Sequence, residues 1–455
     1  MSTGLTWLAI VRLGLVQTCL GAVIVLTTST INRIMVVELA LPAMLPGILV
    51  AIHHAVQMSR PRFGHGSDVG GRTTGWILGG MCVLALGGLG AAGGTALYTS
   101  NALGGLLVCT VAFVAIGLGA SAAGTSLLVT LAKHVAPHRK AAAATIVWIM
   151  MIAGFAVTAG VAGHFLDPFT PQRLILVSGT VSLIAICVTV LAVYRVEPSD
   201  PVVRDEDSAV VVSKAERTSE FRQALRQVWQ EPEARRFTIF VFVSMLAYSA
   251  QDLILEPFAG TVFSMTPGES TQLAGVQHGG VLLGMILVAA TTMVRKNASP
   301  AVLRAWNVGG CLASAAALLC IASGGLIAPN WPIKANVFLL GVANGAFAVA
   351  AIASMMTLAA NGAKRREGLR MGLWGASQAI AFALGGFLGT VAIDLSRAFI
   401  AEPAVAYALV FSLEGAMFVV AAGLGMRLRA PDLRDESRQG PSFGDVAMVE
   451  ILDAR

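Results

Sequence analysis

Apolar runs of about twenty residues, parted by short polar breaks, recur from one end of the chain to the other. A helix that crosses a membrane needs about 20 mainly apolar residues. Twelve stretches qualify: 13–34, 40–58, 76–97, 103–131, 142–163, 173–194, 237–258, 273–294, 302–323, 333–360, 372–394 and 403–426. Strict polar–apolar alternation, the mark of a membrane barrel, does not occur, and a lipid-exposed backbone must satisfy its own hydrogen bonds. The pattern predicts an all-α polytopic membrane protein with twelve transmembrane helices. Small residues gather at Gly117, Gly119, Ala120 and Ser121, and again at Gly385, Gly386 and Gly389. Such faces predict close approach between helices.

One long interruption, Arg195 to Arg236, opens on Glu197-Pro198-Ser199-Asp200-Pro201 and then places Phe221, Leu225, Val228 and Trp229 at helical spacing. It predicts a flexible stretch followed by an amphipathic helix on the membrane surface. The chain divides around it into an N-terminal six-helix bundle over 1–195, a cytoplasmic linker over 196–236, a C-terminal six-helix bundle over 237–427 and a tail over 428–455. Two sets of six spans predict a pseudo-symmetric two-bundle architecture.

Composition agrees with this pattern. Hydrophobic residues make up 56% of the 455 and charged residues only 12%, whereas a soluble chain is about 25% charged. All six cysteines lie inside apolar runs with no metal-binding spacing, which favours packing over disulfide or metal chemistry. The first residues lack a basic segment and cleavage site. Leu5 to Leu26 reads as an interfacial lead-in with Trp7 and Arg12, continuing into the first span.

Orientation follows from counting Lys and Arg. Thirteen lie in the connections leading into odd-numbered spans: Arg60, Arg62, Arg72, Lys133, Arg139, Lys140, Arg295, Lys296, Arg304, Lys364, Arg365, Arg366 and Arg370. Four lie on the opposite side: Arg33, Arg173, Lys334 and Arg397. The positive-inside rule then places both termini in the cytoplasm. The net charge of +6 is thus a topological effect and argues against nucleic acid as a partner.

Ionisable groups inside spans are costly and mark candidate sites. His53 and His54 lie near the cytoplasmic end of the second span, and His278 near the opposite end of the eighth. A polar set gathers at the non-cytoplasmic ends: Asn32, Arg33 and Glu38 after the first span, and Gln251, Asp252 and Glu256 at the end of the seventh. Asp252 or Glu256 is expected to pair with Arg33 across the two bundles, forming a gate or ligand-contact cluster; the alternative is ordinary solvation of helix ends. Glu414 falls in the middle of the last span. No nucleophile elbow, phosphate loop or zinc spacing occurs, so the chain does not read as an enzyme.

Gly64-x-x-x-Asp68-x-x-Gly71-Arg72 resembles the signature loop of the major facilitator superfamily, with Val69 and Thr73 in place of two basic residues. The resemblance implies that superfamily's fold, with the loop latching the two halves on the cytoplasmic side. Gly64 would permit close packing, Asp68 would face a helix N-terminus, and Arg72 would pair with a carboxylate.

A narrower resemblance rests on QTCLGAVIVLTTSTINRIMVVELALPAMLPGILVAIHHAVQMSRPRFGHGSD (Gln17–Asp68), YSAQDLILEPFAG (Tyr248–Gly260) and Gly275-Val276-Gln277-His278-Gly279-Gly280. These stretches are similar to the PucC/LhaA family of light-harvesting assembly proteins. The resemblance implies a role in building antenna complexes in the bacterial inner, intracytoplasmic photosynthetic membrane. Such a protein would hold or deliver bacteriochlorophyll, with carotenoid as a second pigment, and chaperone antenna polypeptides into rings. The core antenna around the reaction centre and the peripheral antenna both stay open as partners. Neutral imidazole is a good axial donor to a metal centre, which makes His53, His54 and His278 candidates for the magnesium of such a pigment. Adjacent histidines point about 100° apart, so only one of the first two can face a given ring. A secondary transporter of a pigment precursor or other amphiphile is the alternative.

Overall fold

The structure, a computed structural model, describes residues 5–59, 73–136, 139–196, 226, 228–294, 300–360 and 367–428. Twelve main helices follow in order: α1 (Trp7–Glu38), α2 (Met44–Val56), α3 (Thr74–Tyr98), α4 (Ala102–His134), α5 (Lys140–Leu166), α6 (Pro171–Val193), α7 (Pro232–Val262), α8 (Pro267–Val294), α9 (Pro300–Leu326), α10 (Ile333–Ala360), α11 (Glu367–Phe399) and α12 (Pro403–Met426). Each coincides with one of the twelve predicted spans. Eleven are long and apolar enough to cross a membrane, and α2 is the shorter apolar one. The chain is therefore a multi-pass membrane protein. Gly64, Asp68, Gly71 and Arg72 lie outside the described residues, as does most of the predicted surface helix; of its apolar face, Val228 is buried and Trp229 exposed.

Local chemistry sets the helix starts. Proline opens α6, α7, α8, α9 and α12, at a position where its missing N–H costs no hydrogen bond. Thr170 and Asn101 cap α6 and α4 through side-chain oxygens that accept from Arg173 N and Gly104 N. At the start of α8, Thr266 and Glu269 cap one another's backbone N–H groups, at 3.1 and 3.0 Å, a reciprocal pair that the sequence Thr-Pro-Gly-Glu permits.

Packing repeats with a shift of six helices. α1 packs on α5 and α6, α3 on α4 and α6, and α2 on α4; α7 packs on α11 and α12, α9 on α10 and α12, and α8 on α10. The two main contacts between the halves repeat in the same way, α5 with α8 and α11 with α2. One buried core runs through Leu13, Met81, Phe113, Ile116 and Leu127. The other joins Phe237, Phe258, Phe347, Tyr407, Phe411 and Phe418, with Phe258 5.4 Å from Tyr407 and 5.0 Å from Phe411 between ring centroids. Lipid is as apolar as these side chains, so close packing rather than exclusion of water favours the contact. The small-residue faces act as expected: a Cβ at Gly117 would stand 2.7 Å from the carbonyl of His53, and one at Gly389 2.8 Å from that of Ala250.

The ends bearing the chain termini are pinned by equivalent arginines. Arg370, at the start of α11, forms a bidentate pair with Glu231 before α7, at 2.8 to 3.1 Å. Arg139, at the start of α5, reaches the carbonyl of Leu5 and lies 4.0 Å over the ring of Trp7.

Three placements differ from the sequence expectation. The first helix is not bounded by its polar residues: Trp7 opens it, and Asn32, Arg33 and Glu38 lie within it. The seventh helix continues to Val262, so Gln251, Asp252 and Glu256 lie two to three turns inside. The eighth begins at Pro267, so His278 is about 16 Å along it at 1.5 Å per residue, about three turns inside. Partners inside the fold hold Asn32, Arg33, Glu38, Glu256 and His278.

Candidate functional site

The far third of α1 departs from α-helical geometry. Leu26–Thr30 and Ile34–Glu38 are π-helical turns, and the second closes with Leu39 N donating to Ile34 O at 3.0 Å. Threonine-rich sequence favours the departure: Thr27 and Thr28 hydroxyls bond back to the carbonyls of Val23 and Ile24, competing with the helix ladder. Inserted π-turns often stand at functional positions. Here they rotate four polar residues toward the other half.

Those residues stitch α1 to α7 and α8. Ser29 donates to a Glu256 carboxylate oxygen. Thr30 and Thr271 share a hydrogen bond at 3.1 Å. The side-chain amide of Asn32 donates to the carbonyl of Leu253 at 2.7 Å. This carbonyl faces position 257 in the helix ladder, where Pro257 has no N–H to offer. Arg33 donates to the carbonyl of Met265 at 2.6 Å, just past Ser264, whose φ of 54° turns the chain out of α7.

Arg33 is 2% exposed, and its ion-pair partner is Glu38 on its own helix. In an α-helix, residues five apart point about 140° away from each other. The π-turn between them reduces that angle and brings the pair together. Arg33 thus makes a local pair and a backbone contact across the seam, with Glu256 of the expected pairing within its electrostatic reach. Its guanidinium lies against Gly260, where a Cβ would meet it at 2.9 to 3.2 Å. Gln251 and Glu256 are buried as well, and Asp252 is half-buried within electrostatic reach of Tyr248 and Glu414. Glu414 is 2% exposed.

The three histidines occupy different surroundings. His53 is 1% exposed, and its Nε2 stands 2.8 Å from the amide nitrogen of Gln57. That amide donates, so the Nε2 lone pair is engaged. His54 is half-buried beside Phe382 of α11, 6.3 Å between ring centroids. His278 is half-buried on α8, its ring 5.0 Å from that of Phe155 on α5. Its Nδ1 stands 2.8 Å from the carbonyl of Ala274. A carbonyl only accepts, so Nδ1 carries the proton and Nε2 presents its lone pair. Beside it, a Cβ at Gly279 would meet nothing within 4 Å. No group of three or more His, Cys, Asp or Glu that could hold a metal ion occurs among the described residues.

Two seam residues escaped the sequence reading. Asp167 accepts from Thr266 and Gly268 of α8, and Asp394 from Ala43 and Met44 of α2. The signal for Asp167 was its place between two spans, opposite a Thr-Pro-Gly-Glu helix start. Asp394 gave none, since an acidic residue at a span end reads as solvated.

Comparison with known proteins supplies the fold family and the chain's relatives. Solved structures of similar fold include a D-xylose–proton symporter, at TM-score 0.67 and 12% identity over 94% of this chain and 98% of that one. A bacterial homologue of the human lysosomal transporter Spinster aligns at TM-score 0.64 and 15% identity over 93% and 98%. These show a major facilitator fold. The bacteriochlorophyll synthase 44.5 kDa chain of Rhodobacter capsulatus is 50% identical over 420 residues, 92% of this chain and 94% of the relative. Protein PucC of the same organism is 27% identical over 438 residues, covering 92% of each. A model of the family described as PUCC protein matches residues 30–432. With that match spanning most of its length, the chain belongs to the PUCC protein family.

Proposed function

We propose that this chain is a non-enzymatic assembly factor of the photosynthetic membrane that holds bacteriochlorophyll and guides antenna polypeptides into rings. Membership of the PUCC family supports a role in photosynthetic complex assembly, and the name of the 50% identical relative supports a link to bacteriochlorophyll. The facilitator fold alone carries no substrate with it.

The observation that carries the pigment reading is His278. Its Nδ1 is held by the carbonyl of Ala274, which fixes the ring and leaves Nε2 as a donor about three turns into α8, one residue before the open position at Gly279. Fixing one imidazole nitrogen by a second hydrogen bond is how metal-ligating histidines are oriented. When bound, bacteriochlorophyll would supply a magnesium ion that accepts a nitrogen lone pair. His278 would provide the donor and Phe155 an aromatic edge at its side. His53 suits the role less, because its lone pair is engaged by Gln57 and its side chain is buried. His54 stands between them, half-buried at the α2–α11 contact.

In this reading the two halves, 1–195 and 237–427, act as the two bodies of the protein, joined by the 196–236 linker, with both termini in the cytoplasm of the bacterial inner membrane. The thirteen-to-four distribution of basic residues supports that orientation. The seam of Asn32, Arg33, Glu38, Gln251, Asp252 and Glu256 then closes the periplasmic side.

A second reading, secondary transport of an amphiphile, is favoured by one observation: Glu414 and Asp252 are acidic groups inside the membrane with no salt-bridge partner among the described residues. Deleting the gene in a pigmented host separates the two. The assembly reading predicts loss of antenna rings and copurification of antenna polypeptides with the tagged protein. Normal rings, together with accumulation of a small molecule on one side of the membrane, would sink it.

A further inference from the structure

The two aspartates at the seam are one contact made twice. The Asp167 oxygens accept from the hydroxyl of Thr266, at 2.5 Å, and the N–H of Gly268, at 3.1 Å, at the start of α8. The Asp394 oxygens accept from the N–H groups of Ala43, at 2.9 Å, and Met44, at 2.7 Å, at the start of α2. Asp167 ends α5 and Asp394 lies near the end of α11; α5 and α11, like α8 and α2, are equivalent under the six-helix repeat. The supporting contacts repeat too. Four residues before each aspartate, Gly163 lies against Gly268 and Thr390 against Gly47, so tightly that a Cβ at Gly268 or Gly47 would fall within 2.3 Å of its neighbour. Each half thus sends one carboxylate onto the first N–H groups of a helix in the other half.

We propose that Asp167 and Asp394 form a symmetric two-point latch that holds the halves together at the face opposite the termini, and that this face opens when both are released. The first N–H groups of a helix have no partner within it and carry its positive end, so a carboxylate supplied by the other half is held by charge as well as by hydrogen bonds. The remaining cross-half hydrogen bonds described above radiate from α1. The two caps instead lie on α5–α8 and α11–α2, the helix pairs that carry most of the contact between halves. Thr266 and Met44 are exposed, so water takes over their bonds when the carboxylates leave. Opening this face also parts the contacts of Thr30, Asn32 and Arg33 with the other half, which the two caps reinforce.

The test uses the full chain in native membrane vesicles with Thr30→Cys, a position 1% exposed in the closed seam. An impermeant maleimide is added on the seam side and its attachment read by mass spectrometry of the peptide carrying that position. Removing a charge from a helix N-terminus shifts the open-to-closed ratio about fivefold. Asp167→Ala and Asp394→Ala are each expected to raise the labelling rate about fivefold, and the double variant about twenty-five-fold. Asp→Glu at either site should return the rate toward that of the parent. Unchanged labelling in the double variant overturns the latch, and so does a lower melting temperature with unchanged labelling, which would leave the caps as stability elements only. If the alanine variants fail to insert, the Asp→Asn pair carries the same comparison.

Discussion

Asn32 gives the carbonyl of Leu253 the hydrogen bond that Pro257 cannot: the side-chain amide on α1 stands 2.7 Å from a backbone oxygen on α7 whose partner in the helix ladder is a proline. The break in one half is thereby completed by a side chain from the other. Leaving a buried carbonyl unsatisfied costs about 1–3 kcal/mol. Asn32→Ala should destabilise the protein by that amount, seen as an earlier unfolding transition in detergent. Adding Pro257→Ala restores a backbone N–H and should recover most of the loss, giving a positive coupling in the double-mutant cycle. Additive losses would show that the two residues act separately.

The Arg33–Glu38 pair leads to a second expectation. Glu38 is 35% exposed while Arg33 is 2% exposed, so breaking the pair leaves a buried cation supported by the carbonyl of Met265 and the nearby Glu256. Full burial of both partners would cost 3–5 kcal/mol; solvent at Glu38 reduces this to about 1–2 kcal/mol. Glu38→Ala should lower stability by that amount, while Glu38→Asp, too short to span the π-turn, should cost nearly as much. A Glu38→Asp protein as stable as the parent would argue that the five-residue geometry is not what holds the pair.

Much of this was legible in the sequence, for physical reasons that also mark the limit. Spans were legible because lipid demands about twenty apolar residues wherever a helix crosses. Gly117 and Gly389 were legible because only small residues admit a neighbouring backbone. The extent of α1 was not: Asn32, Arg33 and Glu38 look like the end of a span, yet Leu253, Met265 and a π-turn satisfy them inside it. Cross-half partners such as Asp394 and Met44 lie 350 residues apart in sequence, and no local period links them. His278 stands further from the start of its helix than the apolar run suggests, since the capped start of α8 at Thr266 and Glu269 lies before that run begins.

The glycine contacts offer a paired test. A Cβ at Gly389 would lie 2.8 Å from the carbonyl of Ala250, while at Gly279 nothing stands within 4 Å. Overpacking a tight contact costs about 1–3 kcal/mol. Gly389→Val is expected to lower the yield of folded protein and its melting temperature, with Gly279→Ala close to the parent. Equal effects from the two would contradict the assignment of α7–α11 as a close-packed pair.

On the side bearing the termini, Arg370 holds Glu231 through two nitrogens at 2.8 to 3.1 Å. Lysine keeps the charge but not the planar fork. Arg370→Lys should therefore destabilise by about 1–2 kcal/mol, read as a shift in the detergent melting curve. A melting curve matching that of the parent would mean that charge alone suffices there.

The proposed hold on bacteriochlorophyll rests on the imidazole of His278, fixed through its Nδ1. The direct measurement is the bacteriochlorophyll content of protein purified from a pigment-producing host, by absorbance per mole of chain, for the parent, His278→Phe and His53→Phe. Bound pigment is expected in the parent, with its loss in His278→Phe and its retention in His53→Phe. Pigment content unchanged by His278→Phe would contradict it.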